Sequence, residues 1–580
     1  MADSERSFMR ALCLGRVEAD LILPYPKLSE EDRDTLASVV ELVDDMLAGR
    51  EEDYSAWDEA GELPADFIEE LKQMGLFSLI IPEEHGGMGF GPTAYSRTLQ
   101  QVARHDASVA VTIGAHSSIG MRGLLLFGTE EQKARYLPSL ATGELVAAFC
   151  LTEPGAGSDA AGVKTTAVRD GEDWVLNGNK LWITNGGIAQ FFTVFARTSE
   201  VDGRARMSAF MLTLDMEGVS VGPHEDKMGL RASSTTSVFL DDVRVGPEQM
   251  LGAEGEGFKV AMKILNSGRT GLGGGSIGAM KGLIERATKQ ALGREQFGRP
   301  IAEFGLIKQK VGQMVVDCYA AESVVNAVNG LIERGDCEYA VEAAISKVFA
   351  SEALWTTADE ALQIAGGTGF MCEYPYERVV RDSRINRIFE GTNEVLRLFV
   401  ALTTMNEVGA ELKDLSKSFS GIFDDPIKGF GLLSGYARRR VSMATGMGEP
   451  AASFSGVASE LRAEVAVYEV TTRKLASAVD RVLRKHGKDI IGKQFASRRL
   501  ADVMIDMFVL ACVISRVSTA IDRQGAEAVA KEIEILKVFH RQALRRVESN
   551  FAQIDDNVDE HLKSLADHAV AAGRFSWDNL

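Results

Sequence analysis

The hydrophobic periodicity of this chain changes twice, and these changes restrict its fold more than any single motif does. Residues 1–145 place apolar side chains at helical spacing, as in Glu30–Leu47. Residues 146–250 instead contain short runs rich in Val, Phe, Thr and Leu, separated by Asn-Gly, Gly-Gly and Asp-Gly turns. Helical spacing returns in residues 251–405. This order predicts two helical domains with a small antiparallel β domain between them.

Two further segments follow. Residues 457–580 return to helical spacing and predict an additional helical domain, whereas residues 406–456 are interrupted by glycine and proline. Within the latter, residues 421–456 carry the basic cluster 438–440 beside apolar and aromatic residues, so the segment is either a flexible linker or a contact with an anionic membrane surface. The predicted fold class is multi-domain α+β: an N-terminal helical domain, an antiparallel β domain, a C-terminal four-helix bundle and an extra C-terminal helical domain.

The acidic balance of the chain argues against a nucleic-acid partner. Its 580 residues carry 83 acidic and 63 basic side chains, for a net charge of −20, whereas a phosphate-binding surface needs clustered Lys and Arg. The six cysteines form no CxxC pair and the histidines lack metal-ligand spacing, so neither a disulfide framework nor a metal site is predicted. We also expect no membrane-spanning helix. The N-terminus resembles neither a signal nor a transit peptide, which predicts a bacterial cytoplasmic protein or a processed form.

The stretch 384–397, which reads RINRIFEGTNEVLR, contains one carboxylate beside an apolar shoulder. Glu390 follows Ile388 and Phe389, and apolar surroundings disfavour the charged form, so we expect the pKa of this carboxyl to be raised. Gly391 has no side chain and lets the backbone approach a ligand closely. The alternative is that Glu390 is an ordinary solvated residue at a helix end. The remaining motifs favour the first interpretation.

The run FCLTEPGAGSD, residues 149–159, lies where helices give way to strands. Thr152 and Ser158 offer hydroxyl groups, while Gly155 and Gly157 expose backbone N–H groups. Such a loop can bind the polar edge of a planar heterocycle and a phosphate. The alternative is an ordinary connecting loop, but the length and composition of the run favour a functional role.

Other motifs have a binding and a structural interpretation. Trp182 beside Thr184 suits the face of a flavin and a hydrogen bond to its ring, but a tryptophan also fills cores. The run GLGGGSIG, residues 271–278, contains a GxGxxG match that no strand precedes, so we reject a dinucleotide-binding loop and expect close helix packing through small residues. The runs REQFG, residues 294–298, and QIAGGTGF, residues 363–370, each join a hydrogen-bonding side chain to glycines and are either binding motifs or turns.

Gly120 and Gly123 share one face if the stretch 105–127 is helical. Glycine in a helix interior costs about 0.5–1 kcal/mol relative to alanine, so two of them require a reason. One reason is close helix packing. The other is an open channel, in which the missing side chains leave room for a long apolar chain.

Five motifs occur in the order found in acyl-CoA dehydrogenases, a family that the chain resembles over residues 30–400: LTEPGAGSD, WIT, RxQFG, QxxGGxG and IFEGT. The extra C-terminal helical region resembles the very-long-chain branch of that family, which also contains a complex I assembly relative. Especially similar to that branch are the runs AHSSIGMRGLLLFGT, AAFCLTEP, FKVAMKILNSGR, EAAISKVFASEA and RIFEGTNEVLRLFVAL.

The resemblance implies an enzyme that binds FAD between its β domain and its second helical region, with a neighbouring subunit completing the site. Carried over by motif, Glu390 is the catalytic base. The implied cofactor-binding residues are Phe149, Leu151, Thr152, Gly157, Ser158, Trp182, Ile183, Thr184, Arg294, Gln363, Gly366, Gly367, Thr392, Glu394 and Gln494. The implied substrate-binding residues are Ser158, Arg269, Phe389, Gly391, Gly120 and Gly123.

The implied reaction is the α,β-dehydrogenation of long- or very-long-chain acyl-CoA to trans-2-enoyl-CoA, the first step of fatty acid β-oxidation. Glu390 would remove the α proton as hydride leaves the β carbon for the flavin. A flavin ribityl hydroxyl and the backbone N–H of Glu390 would hold the thioester oxygen, as in an oxyanion hole. Glycines at positions 120 and 123 are typical of the long-chain branch, which favours chains of roughly 14 carbons or more, an estimate in line with about 0.8 kcal/mol for each buried CH₂.

The resemblance also implies partners and a location. We expect a homodimer that passes electrons to an electron-transfer flavoprotein, in a bacterial cytoplasm or, for a processed form, the mitochondrial matrix, with a peripheral contact to the inner membrane. Two alternatives stay open. One is an acyl-CoA oxidase that uses O₂, and the other is a respiratory complex assembly factor with residual dehydrogenase activity.

Overall fold

The computed structural model describes residues 6–201, 203–420 and 453–578. The chain forms two compact units. The first comprises Tyr25–Val395, and the second is built from the described residues of Glu5–Pro24 and Leu396–Leu580. The hypothesis of a membrane contact in residues 421–456 falls mainly on residues 421–452, which lie outside the described part of the chain.

The N-terminal helices of the first unit surround a core that includes Tyr54, Phe67 and Phe77. Local capping sets where several of them begin, because Ser29 and Thr129 accept hydrogen bonds from backbone N–H groups of the first helical turn. The helices of this region are Glu30–Leu47, Glu51–Ala60, Ala65–Gln73, Pro92–His105, Ala107–Gly114, the π-helical turn Ala115–Gly120, Arg122–Phe127 and Glu130–Thr142.

One segment of this region departs from the sequence expectation. By length and composition, Ala107–Phe127 is helical and apolar enough to cross a membrane, although we expected no such run. Most of its most apolar window is buried inside the protein, as in the core helix of a globular domain.

The β domain is one sheet in which most neighbours are antiparallel. Its strands are β1 (Ala147–Cys150), β2 (Thr166–Asp170), β3 (Asp173–Thr184), β4 (Phe191–Val201), β5 (Arg204–Thr213), β6 (Val219–His224), β7 (Thr235–Val245) and β8 (Met250–Leu251). The order is β6-β7-β3-β2-β4-β5-β8, and β1 pairs in parallel with β4, with Phe149 opposite Thr193. Alternating burial along β3 and β7 leaves one face of these strands on the core, as an amphipathic sheet requires.

The second helical region of the first unit is built on the helix Gly257–Gly293. This helix packs against Pro92–His105, Gly305–Arg334 and Ala340–Ala365. The glycine run at residues 271–278 lies inside it, and a Cβ at Gly278 would lie 2.0 Å from the Gln100 carbonyl oxygen. The prediction of close packing through small residues is therefore confirmed. The shorter helices Gly367–Phe370 and Tyr376–Arg384 follow.

The second unit contains the extra C-terminal helices, and it also contains residues that the sequence placed in the N-terminal domain. The rings of Phe8 and Phe508 are in tilted contact with their centroids 5.4 Å apart, and residues 6–24 belong to this unit rather than to the unit of residues 25–145. The helix Asn393–Ser420 continues past residue 405, where the bundle was predicted to end. The other helices of the unit are Phe8–Cys13, Arg462–His486, Gln494–Gln524, Ala530–Asp555 and Asp559–Ala572.

Candidate active site

Glu390 lies in the turn between the 3₁₀ helix Ile385–Arg387 and the helix Asn393–Ser420. Its φ angle is +53°, and that of Gly391 is +93°. Left-handed backbone is costly for a residue with a side chain and persists only where the surrounding structure holds it. Two consecutive residues in this conformation reverse the chain abruptly, which turns the Glu390 side chain inward.

The Glu390 carboxylate is enclosed although the residue as a whole is half-buried. Oε2 is buried and has no hydrogen-bond partner. Gly268 faces this group, since a Cβ built there would lie 3.1 Å from Oε2 and 3.2 Å from Oε1. Burial raises the pKa of Glu390 to about 7, against the opposing effects of Arg269 and then Lys347. The raised pKa predicted from the sequence is therefore present, and the group can exchange a proton near neutral pH.

Two basic residues act on this carboxyl through space. Arg269 is buried, and its Nη1 donates a hydrogen bond of 2.6 Å to Asn266 Oδ1. Burial lowers the pKa of Arg269 to about 10, while Glu390 opposes that shift. Burial also lowers the pKa of Lys347 to about 7, again with Glu390 as the main opposing charge.

The loop 151–158, which follows β1, is held by a buried ion pair. Lys180 Nζ donates 2.7 Å hydrogen bonds to Glu153 Oε1 and to the Phe195 carbonyl oxygen. Burial alone would raise the pKa of Glu153, but hydrogen bonds from Lys180 and Thr165 outweigh it and lower the pKa. The pair therefore anchors the start of the loop to the sheet, which leaves the rest of the loop to contact a ligand.

Beyond that anchor the loop is open. Ser158 is exposed and Thr152 half-buried, while a Cβ at Gly155 or Gly157 would meet no heavy atom within 4 Å. Phe149 and Leu151, the apolar residues at the start of this run, pack into the core instead. An open glycine backbone beside hydroxyl groups suits the phosphates and the polar ring edge of FAD.

Trp182 is placed by a β-bulge. Lys180 pairs with Val238 and Ile183 with Thr236, so two residues of β3 oppose one residue of β7. Trp182 has φ +56° and is 63% exposed, whereas Ile183 is buried. The bulge thus turns the indole out of the sheet, which excludes the core-filling interpretation of this residue and offers a flat face to a ring system.

The remaining predicted cofactor residues of the first unit lie at the surface or at a helix start. Arg294, Gln363, Gly366 and Gly367 are exposed and have no place in the enclosure around Glu390. Thr392 accepts a hydrogen bond of 3.2 Å from the Val395 N–H, so its hydroxyl caps the following helix. Three more predicted site residues are Thr184 and Phe389, which are half-buried, and Glu394, which is exposed.

Gln494 belongs to the second unit. It is the first residue of the helix Gln494–Gln524 and is exposed. Its assignment as a cofactor ligand stays a prediction.

The two glycines of the predicted acyl channel are packing sites. A Cβ at Gly120 would lie 2.8 Å from the backbone of Ala147, and one at Gly123 would lie 2.7 Å from Leu251 Cδ2 and 2.9 Å from Ile264 Cδ1. They do not share a face of one regular helix, because the π-helical turn ends at Gly120 and a new helix begins at Arg122. The structure therefore corrects the open-channel interpretation and supports the close-packing alternative.

Sequence reasoning missed Lys347, Gly268 and Tyr95. The Tyr95 hydroxyl is buried without a hydrogen-bond partner, and Glu390 contributes to the raised pKa of this phenol after burial itself. These residues lie far from Glu390 in the chain, on helices whose composition is ordinary. Only the similarity of the runs around Lys347 and Gly268 to the long-chain branch singled out their segments.

Comparison with known proteins places this arrangement in a family. The models for the N-terminal, middle and C-terminal domains of acyl-CoA dehydrogenase match residues 29–144, 148–243 and 255–404. The chain belongs to the acyl-CoA dehydrogenase family, and it is an FAD-dependent enzyme. The model described as ACAD9/ACADV, C-terminal domain, matches residues 459–575. This match agrees with the predicted similarity of the C-terminal region to the very-long-chain branch of the family.

Individual relatives agree with this assignment. The very long-chain specific acyl-CoA dehydrogenase, mitochondrial, of Homo sapiens is 41% identical over 561 residues, which cover 95% of this chain and 85% of the relative. The acyl-CoA dehydrogenase from Bacillus anthracis, solved in complex with FAD, is 32% identical with a TM-score of 0.81, covering 96% of this chain and 94% of that chain. The butyryl-CoA dehydrogenase from Megasphaera elsdenii is 35% identical with a TM-score of 0.62, and the match covers 99% of that chain but 65% of this one. The additional C-terminal region is therefore shared with some family members and not with others.

Proposed function

We propose that this enzyme dehydrogenates long-chain acyl-CoA at its α–β bond, with Glu390 as the base. The observation that carries the proposal is the buried, unpartnered Oε2 of a carboxyl whose pKa is raised to about 7. A base with this pKa is half ionised near neutral pH and still strong enough to accept a proton from the weakly acidic α carbon. Resemblance to the IFEGT motif of the family supports the same residue.

The side chains and backbone around Glu390 would divide the work. Glu390 Oε2 takes the α proton, and the Glu390 N–H in the left-handed turn donates to the thioester oxygen, where negative charge develops. FAD, when bound, would supply the acceptor for the hydride of the β carbon. Thr152, Ser158, Trp182 and Thr184 would hold that cofactor through hydroxyl groups and the exposed indole face. Burial of the thioester excludes water and strengthens each of these hydrogen bonds.

Exposed cofactor motifs support a homodimer. Phe297, beside Arg294, has φ +55° and is 94% exposed, and Gly366 and Gly367 are open as well. An aromatic side chain that is almost fully exposed in a strained turn suits a cofactor or partner surface. We propose that these residues reach the FAD of a second subunit.

The substrate length and the electron acceptor are inferred from relatives. The similarity to very-long-chain enzymes along nearly the whole chain supports acyl chains of roughly 14 carbons or more, in line with about 0.8 kcal/mol for each buried CH₂. It also supports electron-transfer flavoprotein as the acceptor. The relatives include mitochondrial and bacterial proteins, so either a bacterial cytoplasm or a mitochondrial matrix suits the proposal.

The base assignment is tested with Glu390→Gln. We expect the variant to fold and to bind FAD, since the amide has the shape of the carboxyl, but to lose turnover by about 10²–10⁴-fold or more. Bleaching of the flavin absorbance by palmitoyl-CoA under anaerobic conditions measures the reductive step directly. Dehydrogenation by the variant at nearly the wild-type rate would show that another group is the base.

Chain length and acceptor are tested on the wild-type holoenzyme. Anaerobic reduction by acyl-CoA substrates of 8 to 18 carbons should be fastest for the longer chains. The reduced enzyme should then reoxidise slowly in air and rapidly with electron-transfer flavoprotein. Rapid reoxidation in air would identify an oxidase instead, and absence of reduction by every substrate would favour an assembly role.

A further inference from the structure

The Lys347 ammonium group is buried beside the turn that carries Glu390. Lys347 is fully buried, and in the described part of the chain no carboxylate forms an ion pair with it. Instead its Nζ donates to two neutral oxygens, the Gly391 carbonyl at 2.8 Å and Asn393 Oδ1 at 2.9 Å. A buried cation without a carboxylate partner is costly to desolvate. Its position therefore calls for a reason beyond stability.

Both acceptors belong to the turn itself. The Gly391 carbonyl directly follows the two left-handed residues, and Asn393 is the first residue of the next helix. The two bonds thus span the turn from its middle to its end. Because Lys347 sits on the long helix Ala340–Ala365, the bonds tie the turn to a rigid element of the second helical region.

Asn393 is held in turn by the same helix. Its Nδ2 donates 3.0 Å hydrogen bonds to Ser351 Oγ and Glu352 Oε1. Arg387 Nε lies 2.9 Å from Glu352 Oε2, so the residues before and after Glu390 are both linked to one face of this helix. Contacts on either side of the turn leave the backbone of Glu390 with little freedom.

We propose that Lys347 is a positioning residue for the dehydrogenation: it fixes the left-handed turn so that the Glu390 carboxylate and N–H both face the substrate. This inference rests on the proposed role of Glu390 as base. In this proposal Lys347 acts through the two hydrogen bonds that its Nζ donates to the turn and not by transferring a proton. Its contribution is to hold the carboxylate of the base within a few tenths of an ångström of the position that proton transfer requires.

Lys347 also sets part of the charge around the base. The ionisable groups that face Glu390 are Arg269 from the helix Gly257–Gly293, Lys347 from Ala340–Ala365 and Tyr95 from Pro92–His105. Removing the Lys347 cation leaves Arg269 as the main charge that favours ionised Glu390. The pKa of Glu390 should then rise further, which moves the acid limb of kcat/KM to higher pH.

The test compares Lys347→Met with Lys281→Met as a matched control. Lys281 lies on another helix of the same region and pairs with Glu322, which keeps Arg97 as a second partner after the substitution. For Lys347→Met we expect FAD content and KM close to wild type, kcat lower by about 10- to 100-fold, and the acid limb displaced to higher pH. The control should match wild type in all four measurements.

A wild-type kcat and an unmoved acid limb in folded, FAD-loaded Lys347→Met would overturn the inference. If that variant does not fold, Asn393→Ser replaces it, because it removes one of the two anchors and keeps the cation. Asn393→Ser should lower kcat without moving the acid limb, and a wild-type kcat there would also overturn the inference. Glu390→Gln, measured in parallel, separates the two proposals. If Glu390→Gln is active, the assignment of Glu390 as the base is wrong. If Glu390→Gln is inactive while Lys347→Met has wild-type kcat and an unmoved acid limb, only the positioning role of Lys347 is wrong.

Discussion

Gly268 faces Glu390 so closely that a methyl group on its Cα would lie 3.1 Å from the carboxylate oxygen Oε2. The two residues are 122 positions apart in the chain (390 − 268), and Gly268 lies on the helix Gly257–Gly293, next to Arg269. The missing side chain is what leaves room for a buried carboxyl at this place. Four predictions test this contact, the pKa of Glu390, the ion pair of Lys180 and the packing of Gly120.

Gly268→Ala should lower kcat by about 10-fold while leaving the fold intact. The new methyl group would lie 2.9 Å from Ile119 Cγ2 as well as 3.1 Å from Glu390 Oε2. The Glu390 carboxylate is the end of a flexible side chain, so it can shift by a few tenths of an ångström and lose its alignment with the α carbon. Steady-state kcat and the unfolding midpoint measure the two effects. A wild-type kcat in this variant would mean that the carboxylate tolerates displacement or acts from another rotamer.

The stability of the wild type relative to Glu390→Gln should fall as the pH rises from 5 to 8. Burial raises the pKa of Glu390 from 4.5 to about 7 in the folded state. Its contribution is therefore fully present below 4.5 and is lost as pH rises through 7, amounting to about 3 kcal/mol. Denaturant unfolding of both proteins at several pH values measures the difference. Parallel curves for the two proteins would show that Glu390 ionises normally.

Lys180→Met should destabilise the protein by about 3–5 kcal/mol and lower its FAD content, because Glu153 would be left buried without its cation. The loop 151–158 would then lose its anchor to the sheet. Arg244→Met is the matched control, since Arg244 pairs with Asp170 and Asp173 on the exposed side of the same sheet, where such pairs contribute about 0–1 kcal/mol. Unfolding free energy and the flavin-to-protein absorbance ratio are the measurements. Full FAD content in Lys180→Met would separate the ion pair from cofactor binding.

Gly120→Ala should destabilise the fold by about 1–3 kcal/mol without changing the preference for chain length. The added methyl group would meet the Ala147 backbone at 2.8 Å, and backbone cannot move aside as a side chain can. Gly312→Ala is the control, because that helical position has open space and alanine there should stabilise by about 0.5–1 kcal/mol. Rates with octanoyl-CoA and palmitoyl-CoA complete the experiment. Selective loss of the palmitoyl-CoA rate, with stability unchanged, would restore the channel interpretation.

The order of the domains was predictable because it depends on local patterns, namely the spacing of apolar residues and the position of turn residues. Helical spacing places Glu30–Leu47 at the bounds that the structure has, and the runs rich in Val, Phe, Thr and Leu place the β domain in residues 146–250, where the strands Ala147–Cys150 to Met250–Leu251 lie. The apolar shoulder of Glu390 likewise predicts its raised pKa, because neighbouring residues supply part of the burial. Such patterns depend on residues that are close in the chain, so they can be recognised without knowledge of the tertiary structure.

Contacts between distant segments were decided only by the tertiary structure. From the sequence, Gly120 and Gly123 suit either close packing or an open channel. The structure favours packing, because Ala147, Leu251 and Ile264 fill the space beside these glycines, and no local pattern indicates which residues will lie there. From the sequence, Trp182 suits either the face of a flavin or a core, and the unequal pairing of β3 with β7 turns it outward.

Lys347 is the clearest example of a contact that local sequence patterns do not predict. Its helix is long and apolar, and a lysine within it gives no indication from sequence that it meets the Gly391 carbonyl 44 residues later. By itself, the sequence determined the fold class, the family motifs and the identity of the candidate base. The tertiary structure decided how that base is enclosed and held, because desolvation and hydrogen bonding depend on atoms that only folding brings together.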